Sequence, residues 1–357
     1  MPEEWKGYVR IGNEPLGKGN YGEAWLARKN SSDQQVVVKF FFVTDPQTNT
    51  LLGFLSPSAA TEYGIPLEGD LRDARNECET PRTIFQKTTF PEPNYVVDCI
   101  VNGVDDPERS YVVLELAGSQ TLGHYMEDFH SQGPNDATRA RIYKIVAKML
   151  LEGLREFEGL YVHRDIKPAN LMVSVGTTGE PKDLKFIDWG LAVPEGSTTY
   201  LGGDPEFMPP ETVKFHNGEN KAWGLNLAEK FTFTATYDVY AVGETLFSYV
   251  CNRPDSKSVT WRKRTYAEQL SKNYKFKPAW VKVNPKLKLD YDSDSNCDRD
   301  LKNDLKPLWD LIKVMRRPIS TQSRYQKLRP LASEILESCA AVLDVDQKTG
   351  SERCLAS

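Results

Sequence analysis

The segment His163-Arg164-Asp165-Ile166-Lys167-Pro168-Ala169-Asn170, with Asp188-Trp189-Gly190 downstream, gathers carboxylates, an ammonium and an amide into a short stretch of chain. Each type has a chemical use. A carboxylate can take or orient the proton of an attacking hydroxyl, an ammonium can sit against phosphate oxygens, and Asp and Asn supply the hard oxygen atoms that Mg²⁺ prefers. Together they suit phosphoryl transfer, whose loose transition state asks the protein mainly for positioning and charge neutralisation. A chance His-Arg-Asp on a surface turn would account for the tripeptide alone. It does not account for the run through Asn170 and the later Asp-x-Gly.

Upstream, Leu16-Gly17-Lys18-Gly19-Asn20-Tyr21-Gly22-Glu23-Ala24 fits Gly-x-Gly-x-x-Gly between two apolar strands. Without a Cβ, glycine lets backbone amides come close to phosphates. A glycine-rich hairpin without a ligand explains the same residues. A dinucleotide fingerprint is disfavoured, because it leads into a helix, whereas Glu23 to Arg28 alternates like a strand. The apolar run Val36-Val37-Val38 then ends in Lys39, whose charge needs a carboxylate partner. A helix over Leu71 to Gln86 offers Glu77 and Glu79. Helical spacing groups Ala74, Cys78, Pro81 and Phe85 on one stripe with Glu77 beside it, so Glu77 is the choice over a solvated glutamate. Pro81 is expected to distort or end this helix.

These segments together resemble the protein kinase superfamily, serine/threonine type. The resemblance implies an α+β, bilobal fold: a small β-rich N-lobe with one main helix over residues 1–116, a large helical C-lobe over 117–340, and a tail over 341–357. It implies ATP and Mg²⁺, with Mn²⁺ as an alternative. In that scheme Asp165 faces the acceptor hydroxyl, Lys167 the γ-phosphate, and Asn170 and Asp188 hold the metal. Lys39, held by Glu77, meets the α- and β-phosphates. Leu16, Gly17, Gly19, Gly22, Ala24 and Val37 cover the nucleotide, with Met172 as the floor. In Tyr111 to Ala117, Leu114 is the gatekeeper, and Glu115 and Ala117 offer backbone groups to the purine. Met208-Pro209-Pro210-Glu211 resembles the Ala-Pro-Glu that closes the activation segment. Asp238 steadies the catalytic loop from a buried central helix, and Arg329 pairs with Glu211, with Arg317-Pro318 a competing match.

This chain departs from the family pattern in places. Val37 replaces the usual alanine over adenine, which narrows the slot. Trp189 replaces phenylalanine, as in the casein-kinase-2 type, where a larger buried ring disfavours flipping of Asp188; a plain core tryptophan explains it equally. Asp204 replaces a threonine that normally bridges the catalytic aspartate and lysine, so it is expected to pair with Lys167 and repel Asp165. Lys167 favours serine/threonine over tyrosine acceptors, with dual specificity and autophosphorylation open. Ser197-Thr198-Thr199-Tyr200 and Arg164 suggest an activation segment ordered by phosphate. Ordinary loop polarity, or a permanent charge from Glu195, are the other readings.

The 357 residues suffice for a large core in more than one lobe. With 45 Lys plus Arg against 50 Asp plus Glu, the net charge of −5 gives no field favouring nucleic acid or anionic membrane. The basic Trp261-Arg262-Lys263-Arg264 reads as a solvated face. Cysteines at 78, 99, 251, 297, 339 and 354 show no Cys-x-x-Cys or zinc spacing. They are expected to be reduced and mostly unpaired, in a reducing intracellular compartment, cytoplasm or chloroplast stroma. No window is apolar enough for a membrane span, and the acidic start is unlike a signal peptide. The sequence reads as an excised catalytic domain.

Arg139 to Phe157 has the clearest helical period, with Ile142, Ile145, Val146, Met149 and Leu150 on one face. Residues 42–70, with apolar Leu51 to Leu55, form an insertion that either covers the lobe or docks a partner. Residues 212–237 are also longer than the family requires, and the acidic 290–304 reads as a surface loop.

Short islands, Ala60-Thr61-Glu62-Tyr63-Gly64, Asn76-Glu77 and Thr121-Leu122, resemble the chloroplast state-transition kinases. That resemblance implies light-harvesting antenna proteins as substrates at the thylakoid surface, although Trp189 stands where that group tends to have leucine and the sequence shows no redox cysteine pair or membrane segment. Secreted parasite rhoptry kinases are a rival resemblance. A pseudokinase scaffold and a small-molecule kinase of similar fold are the alternatives in function.

Overall fold

A computed structural model describes residues 1–19, 21–45, 48, 50–88, 95–199, 202–204, 207–209, 231–250, 305–316 and 329–345. The chain divides into two compact units, Met1–Ser119 with Lys185–Ala192, and Gln120–Leu184 with Val193–Ser357.

The first unit is built on an eight-stranded sheet. Its strands are β1 (Glu4–Trp5), β2 (Tyr8–Arg10), β3 (Gly17–Gly19), β4 (Gly22–Lys29), β5 (Gln35–Thr44), β6 (Leu51–Phe54), β7 (Cys99–Gly103) and β8 (Tyr111–Glu115). The main path runs β1-β2-β4-β5-β8-β7, with β3 on β4 and β6 on β5. Strand β5 shows why these residues form a sheet. Val36, Val38 and Phe40 are fully buried in one core with Trp5, Trp25 and Tyr111, while Val37 and Lys39 turn to the opposite face, the period of two of a pleated strand. Trp5 meets Phe40 edge-on at 5.3 Å, a favoured aromatic geometry.

The insertion at 42–70 supplies β6, paired antiparallel to the end of β5, and the short helix α1 (Ala59–Tyr63). Phe54 of β6 packs on Phe42 and Phe40, so this stretch covers the sheet.

Helix α2 (Glu68–Lys87) continues past Pro81. The expected break does not occur, because contacts outside the helix compensate for the lost backbone bond. Arg82 donates from Nε to the Cys99 carbonyl and from Nη2 to the Ile100 carbonyl, both at 3.0 Å. A disulfide joins Cys78 of α2 to Cys99 of β7. This corrects the expectation of reduced, unpaired cysteines, as does Cys339, which is also disulfide-bonded. Spacing along the chain hid the pair: 21 residues separate the two cysteines, but packing of helix on strand brings their Cα atoms to 5.1 Å, within the bridging range.

The second unit is mainly helical. Helix α3 (Leu122–Ser131) starts at Thr121, whose side chain accepts from the His124 amide, and α4 (Asp136–Phe157) starts at Asn135, which accepts from the Thr138 amide. These caps satisfy amides the helix leaves open. The predicted face of α4 is buried at Ile142, Val146, Met149 and Leu150, with Ile145 half-buried. Helix α5 (Ala235–Val250) is buried along nearly its whole length, as an apolar central helix must be. Short strands accompany these helices: β9 (Gln120–Thr121), β11 (Leu171–Val175) and β12 (Pro181–Phe186) form a three-stranded sheet in the order β12-β11-β9, while β10 (Tyr161–Val162) pairs with β13 (Val193–Pro194) and β14 (Thr198–Thr199) with β15 (Phe231–Thr232). Among the described residues no helix is long and apolar enough to cross a membrane.

Candidate active site

In the first unit, Lys39 is the centre of a charged cluster. Its Nζ donates to Glu77 Oε1 at 2.9 Å and to Asp188 Oδ1 at 2.8 Å. Burial opposes the Lys39 charge, but Asp188 and Glu77 outweigh it and hold the ammonium above the usual lysine range. Burial raises the Glu77 carboxyl against the pull of Lys39. Glu77 is 1% exposed, whereas Glu79 is exposed, as the helical phase required.

The metal-binding candidate Asp188 sits at φ 68°, a conformation costly for a side-chain-bearing residue. Its neighbours are pinned. The Gly190 amide donates to Glu77 Oε2 at 3.0 Å, and Asn76 Nδ2 donates to the Gly190 and Ala192 carbonyls. Trp189 is fully buried and donates from Nε1 to the Phe186 carbonyl at 3.0 Å.

The sheet brings several predicted nucleotide residues to one face. Cross-strand register places Ala24 opposite Lys39, Leu26 opposite Val37, and Val37 opposite Leu114; directly paired residues share a face. The glycine stretch is a hairpin of β3 and β4, with Gly17 opposite Ala24 and Gly19 opposite Gly22. A strand follows it, which excludes the dinucleotide reading. Gly22 is there for space: a Cβ would lie 2.2 Å from the Phe40 carbonyl oxygen. Leu16 is exposed at the hairpin's edge, and Ala117 is buried. The Glu115 side chain is engaged, accepting from Lys185 Nζ at 2.6 Å and from the Asp98 amide at 2.7 Å.

In the second unit, the candidate stretch 163–170 folds around Asp165. Lys167 Nζ lies 2.9 Å from its Oδ2, Asn170 Nδ2 donates to Oδ2 at 2.8 Å, and the Asp204 amide donates to Oδ1 at 2.8 Å. With its nitrogen on Asp165, the Asn170 amide has its oxygen left to meet a cation. Carboxylate and amide oxygens, such as those of Asp188 in the first unit and Asn170 in the second, are hard donors of the type Mg²⁺ takes. The Asp204 carboxylate reaches Lys167 only at 3.9 Å. Here the main-chain N–H, which the sequence could not single out, makes the closer contact.

Asp238 of α5 supports the loop from beneath. It accepts from the His163 amide at 2.6 Å and the Arg164 amide at 3.0 Å. Burial pushes its carboxyl up to about 7, outweighing the amide bonds that favour its charge. Met172 is half-buried on β11, between the buried Leu171 and Val173.

Ser197, Thr198 and Thr199 are held by backbone pairing. Strand β14 pairs with β15, the Phe233 amide donates to the Ser197 carbonyl, and Thr198 and Thr232 share a hydroxyl contact at 3.0 Å. Arg164 lies over the Phe233 ring at 4.4 Å. Glu195 accepts from the Gly159 and Ala235 amides. Arg329 is buried and donates to the Thr236 carbonyl at 2.7 Å. Tyr200, Glu211 and the competing Arg317 lie outside the described residues, as do 212–230, the basic 261–264 and 290–304.

Three contributors went unread in the sequence: Asn76, the Asp204 amide, and Lys185 on Glu115. Two act through or on the main chain, which leaves no mark in residue type.

The sequence profile of the protein kinase domain matches residues 72–337. The glycine hairpin and Lys39 precede that match and are placed by geometry. An Aurora kinase of Dictyostelium discoideum is 24% identical over 67% of this chain and 49% of its own length. A probable serine/threonine-protein kinase of the same organism is 29% identical over 50% of this chain and 23% of its own length. Calcium-dependent protein kinase 24 of Arabidopsis thaliana is 28% identical over 52% of this chain and 28% of its own length. The chain thus spans about half the length, or less, of these relatives.

Proposed function

The chain belongs to the protein kinase family, and we propose that it transfers the γ-phosphoryl group of ATP to serine or threonine hydroxyls of protein substrates. The observation that carries this reading is the setting of Asp165. Its carboxylate is fixed by Asn170, the Asp204 amide and Lys167, so it is oriented before any acceptor arrives.

Asp165 then orients the acceptor hydroxyl and takes its proton as the oxygen attacks. Lys167, already beside that carboxylate, neutralises charge on the transferred group. Lys39 grips the α- and β-phosphates, with Glu77 fixing its direction. Asn170 and Asp188 would hold Mg²⁺, which supplies positive charge to the phosphate oxygens. Ala24, Val37 and Leu114 offer an apolar face to the purine. Lys167, two residues after Asp165, supports serine or threonine as acceptor, as does the name of one relative.

A finer reading, a chloroplast state-transition kinase acting on light-harvesting antenna proteins, is supported by the short sequence islands alone. Preferential labelling of purified antenna over a generic acceptor protein would test it.

The test of the main reading is Mg²⁺-dependent transfer of labelled γ-phosphate to a generic protein or to the chain itself. Asp165→Asn should lower the rate by about 10²–10⁴, the usual worth of a positioned general base. Equal background labelling by both proteins would refute the proposal and leave a scaffold.

A further inference from the structure

We propose that Glu195 is a positioning residue for the loop that carries Asp165, and that its carboxylate, rather than a phosphate, fastens the start of the activation segment. The inference rests on the kinase reading and concerns only the second unit. Glu195 is half-buried between β13 and β14. Its two oxygens take different partners. Oε2 accepts from the Gly159 amide at 2.8 Å, in the turn that follows α4, and Oε1 accepts from the Ala235 amide at 2.9 Å, at the first residue of α5. A helix leaves its first amides without intrahelical acceptors, and a negative charge suits its positive end. Glu195 therefore caps α5 from another part of the chain.

Both partners lead to the same loop. On one side, the Glu195 amide donates to the Leu160 carbonyl at 3.0 Å, and β13 pairs with β10 so that Val193 faces Val162, the residue before His163. On the other side, Ala235 opens the first turn of α5, and that turn carries Asp238, which accepts from the His163 and Arg164 amides. Asp165 follows directly. Glu195 ties these two supports together.

Beyond Glu195 the segment is carried by main-chain bonds. Gly196 donates to the Phe233 carbonyl at 2.8 Å, Phe233 donates to the Ser197 carbonyl at 3.0 Å, and β14 pairs with β15. Val162, Phe233 and Tyr237 are buried in one cluster at this junction, with Val193 packed against it. A permanent charge here needs no upstream kinase to supply it. The requirement is for two acceptor oxygens: glutamine has the same shape but one such oxygen, so one of the two amides would face its NH₂.

The test compares wild type with Glu195→Gln and with Glu180→Gln, a control whose carboxylate pairs with Arg141 in the same unit. Kinase assays below the onset of unfolding report kcat and KM for ATP. Glu195→Gln should lower kcat about tenfold, the size of one lost hydrogen bond to a charged group, and leave KM within about twofold, because the reacting geometry is what changes. The control should match wild type. Amide hydrogen exchange over residues 159–166 should be faster in Glu195→Gln by a similar factor. Unchanged exchange there, a loss that lies in KM, or an equal loss in the control overturns the proposal. Ala235→Pro removes one of the two donors at a helix position that accepts proline. It should reproduce the loss, and the double variant should be no worse than either single one; additive losses overturn the shared path.

If neither variant folds, wild type decides alone. Protein freed of phosphate by a phosphatase and verified by mass spectrometry should keep its initial rate, and loss of activity on dephosphorylation overturns the proposal. Hydrogen exchange separates this inference from the proposed function. A chain inactive in every form whose loop exchanges faster in Glu195→Gln fails the function and keeps the fastening role. An active chain whose kcat and loop exchange ignore Glu195→Gln does the reverse.

Discussion

Glu77→Gln isolates the charge of one buried carboxylate at constant shape. Both oxygens of Glu77 are used: Oε1 accepts from Lys39 at 2.9 Å and Oε2 from the Gly190 amide at 3.0 Å. Glutamine has one acceptor oxygen and an NH₂, so one of these two donors must face another donor. Losing a hydrogen bond to a charged group costs about 1.5–3 kcal/mol. Truncating a buried ion pair costs about 3–5 kcal/mol when it strands a charge, but here Lys39 keeps Asp188 at 2.8 Å. The expected loss is therefore about 2–3 kcal/mol of unfolding free energy, between the two cases. Urea denaturation measures it, with Glu79→Gln as the control, because Glu79 is exposed and should change stability by no more than about 0.5 kcal/mol. A functional consequence accompanies the structural one. With Glu77 neutral, Asp188 is the remaining carboxylate on Lys39, so the ammonium competes with Mg²⁺ for it. The Mg²⁺ concentration at half-maximal activity should rise. Equal denaturation midpoints for the two variants, or an unchanged Mg²⁺ requirement in Glu77→Gln, would refute this reasoning.

Asp238 gives a pH signature. Its carboxyl is raised from an ordinary 3.8 to about 7 by burial, so across that window the folded chain holds a proton the unfolded chain lacks, and this contribution to stability falls as pH rises. Asp238→Asn does not titrate; the stability gap between it and the wild type should differ between pH 4.5 and pH 8, and an identical gap at both would contradict the assignment. Gly22→Ala puts a Cβ 2.2 Å from the Phe40 oxygen, whereas Gly19→Ala meets nothing within 4 Å. The first should cost about 1–3 kcal/mol by overpacking and the second little, in thermal denaturation of each. At Asp204 the carboxylate is 3.9 Å from Lys167, a pair worth under about 1 kcal/mol, so Asp204→Asn should shift kcat by less than about fivefold. Asp204→Pro removes the N–H that holds Asp165 and should lower kcat further; equal effects would show that the amide does not matter.

The candidate site was legible because phosphoryl transfer would need particular side chains at fixed spacing. Asp165, Lys167 and Asn170 share one loop, and the helical phase that put Glu77 rather than Glu79 toward Lys39 follows from 3.6 residues per turn. The alternation of Glu23 to Arg28 announced a strand after the glycines, while the neighbours of Lys39 on its sheet face were read from the family resemblance. Other features depend on neighbours remote in the chain. Cys78 and Cys99 pair because α2 packs on β7, and no spacing rule encodes that packing. The continuity of α2 through Pro81 was missed for the same reason: a proline costs about 3 kcal/mol in a helix interior, and the compensating bonds from Arg82 reach a strand that local sequence does not place. Asp204 was read by its carboxylate, while its backbone N–H makes the shorter contact to Asp165.

Arg164 and Asp188 share a property that links these observations. Both adopt positive φ, 72° and 68°, in a region that costs a residue with a Cβ about 1–2 kcal/mol. Such conformations persist only where surrounding bonds over-determine them. At Arg164 the N–H is held by Asp238, the guanidinium lies over Phe233, and the carbonyl is approached so closely by Gly203 that a Cβ there would lie 2.3 Å from it. At Asp188 the flanking residues are fixed by Phe186 donating to the Tyr95 carbonyl, by Trp189 donating to Phe186, and by Gly190 donating to Glu77. Each strain equals roughly one net hydrogen bond, so loss of a single supporting bond brings the local balance near zero. The positions of Asp165 and Asp188 therefore depend on residues that touch no substrate, which is why Asn76, Glu77, Gly203 and Asp238 belong to the same chemical argument as the residues they support.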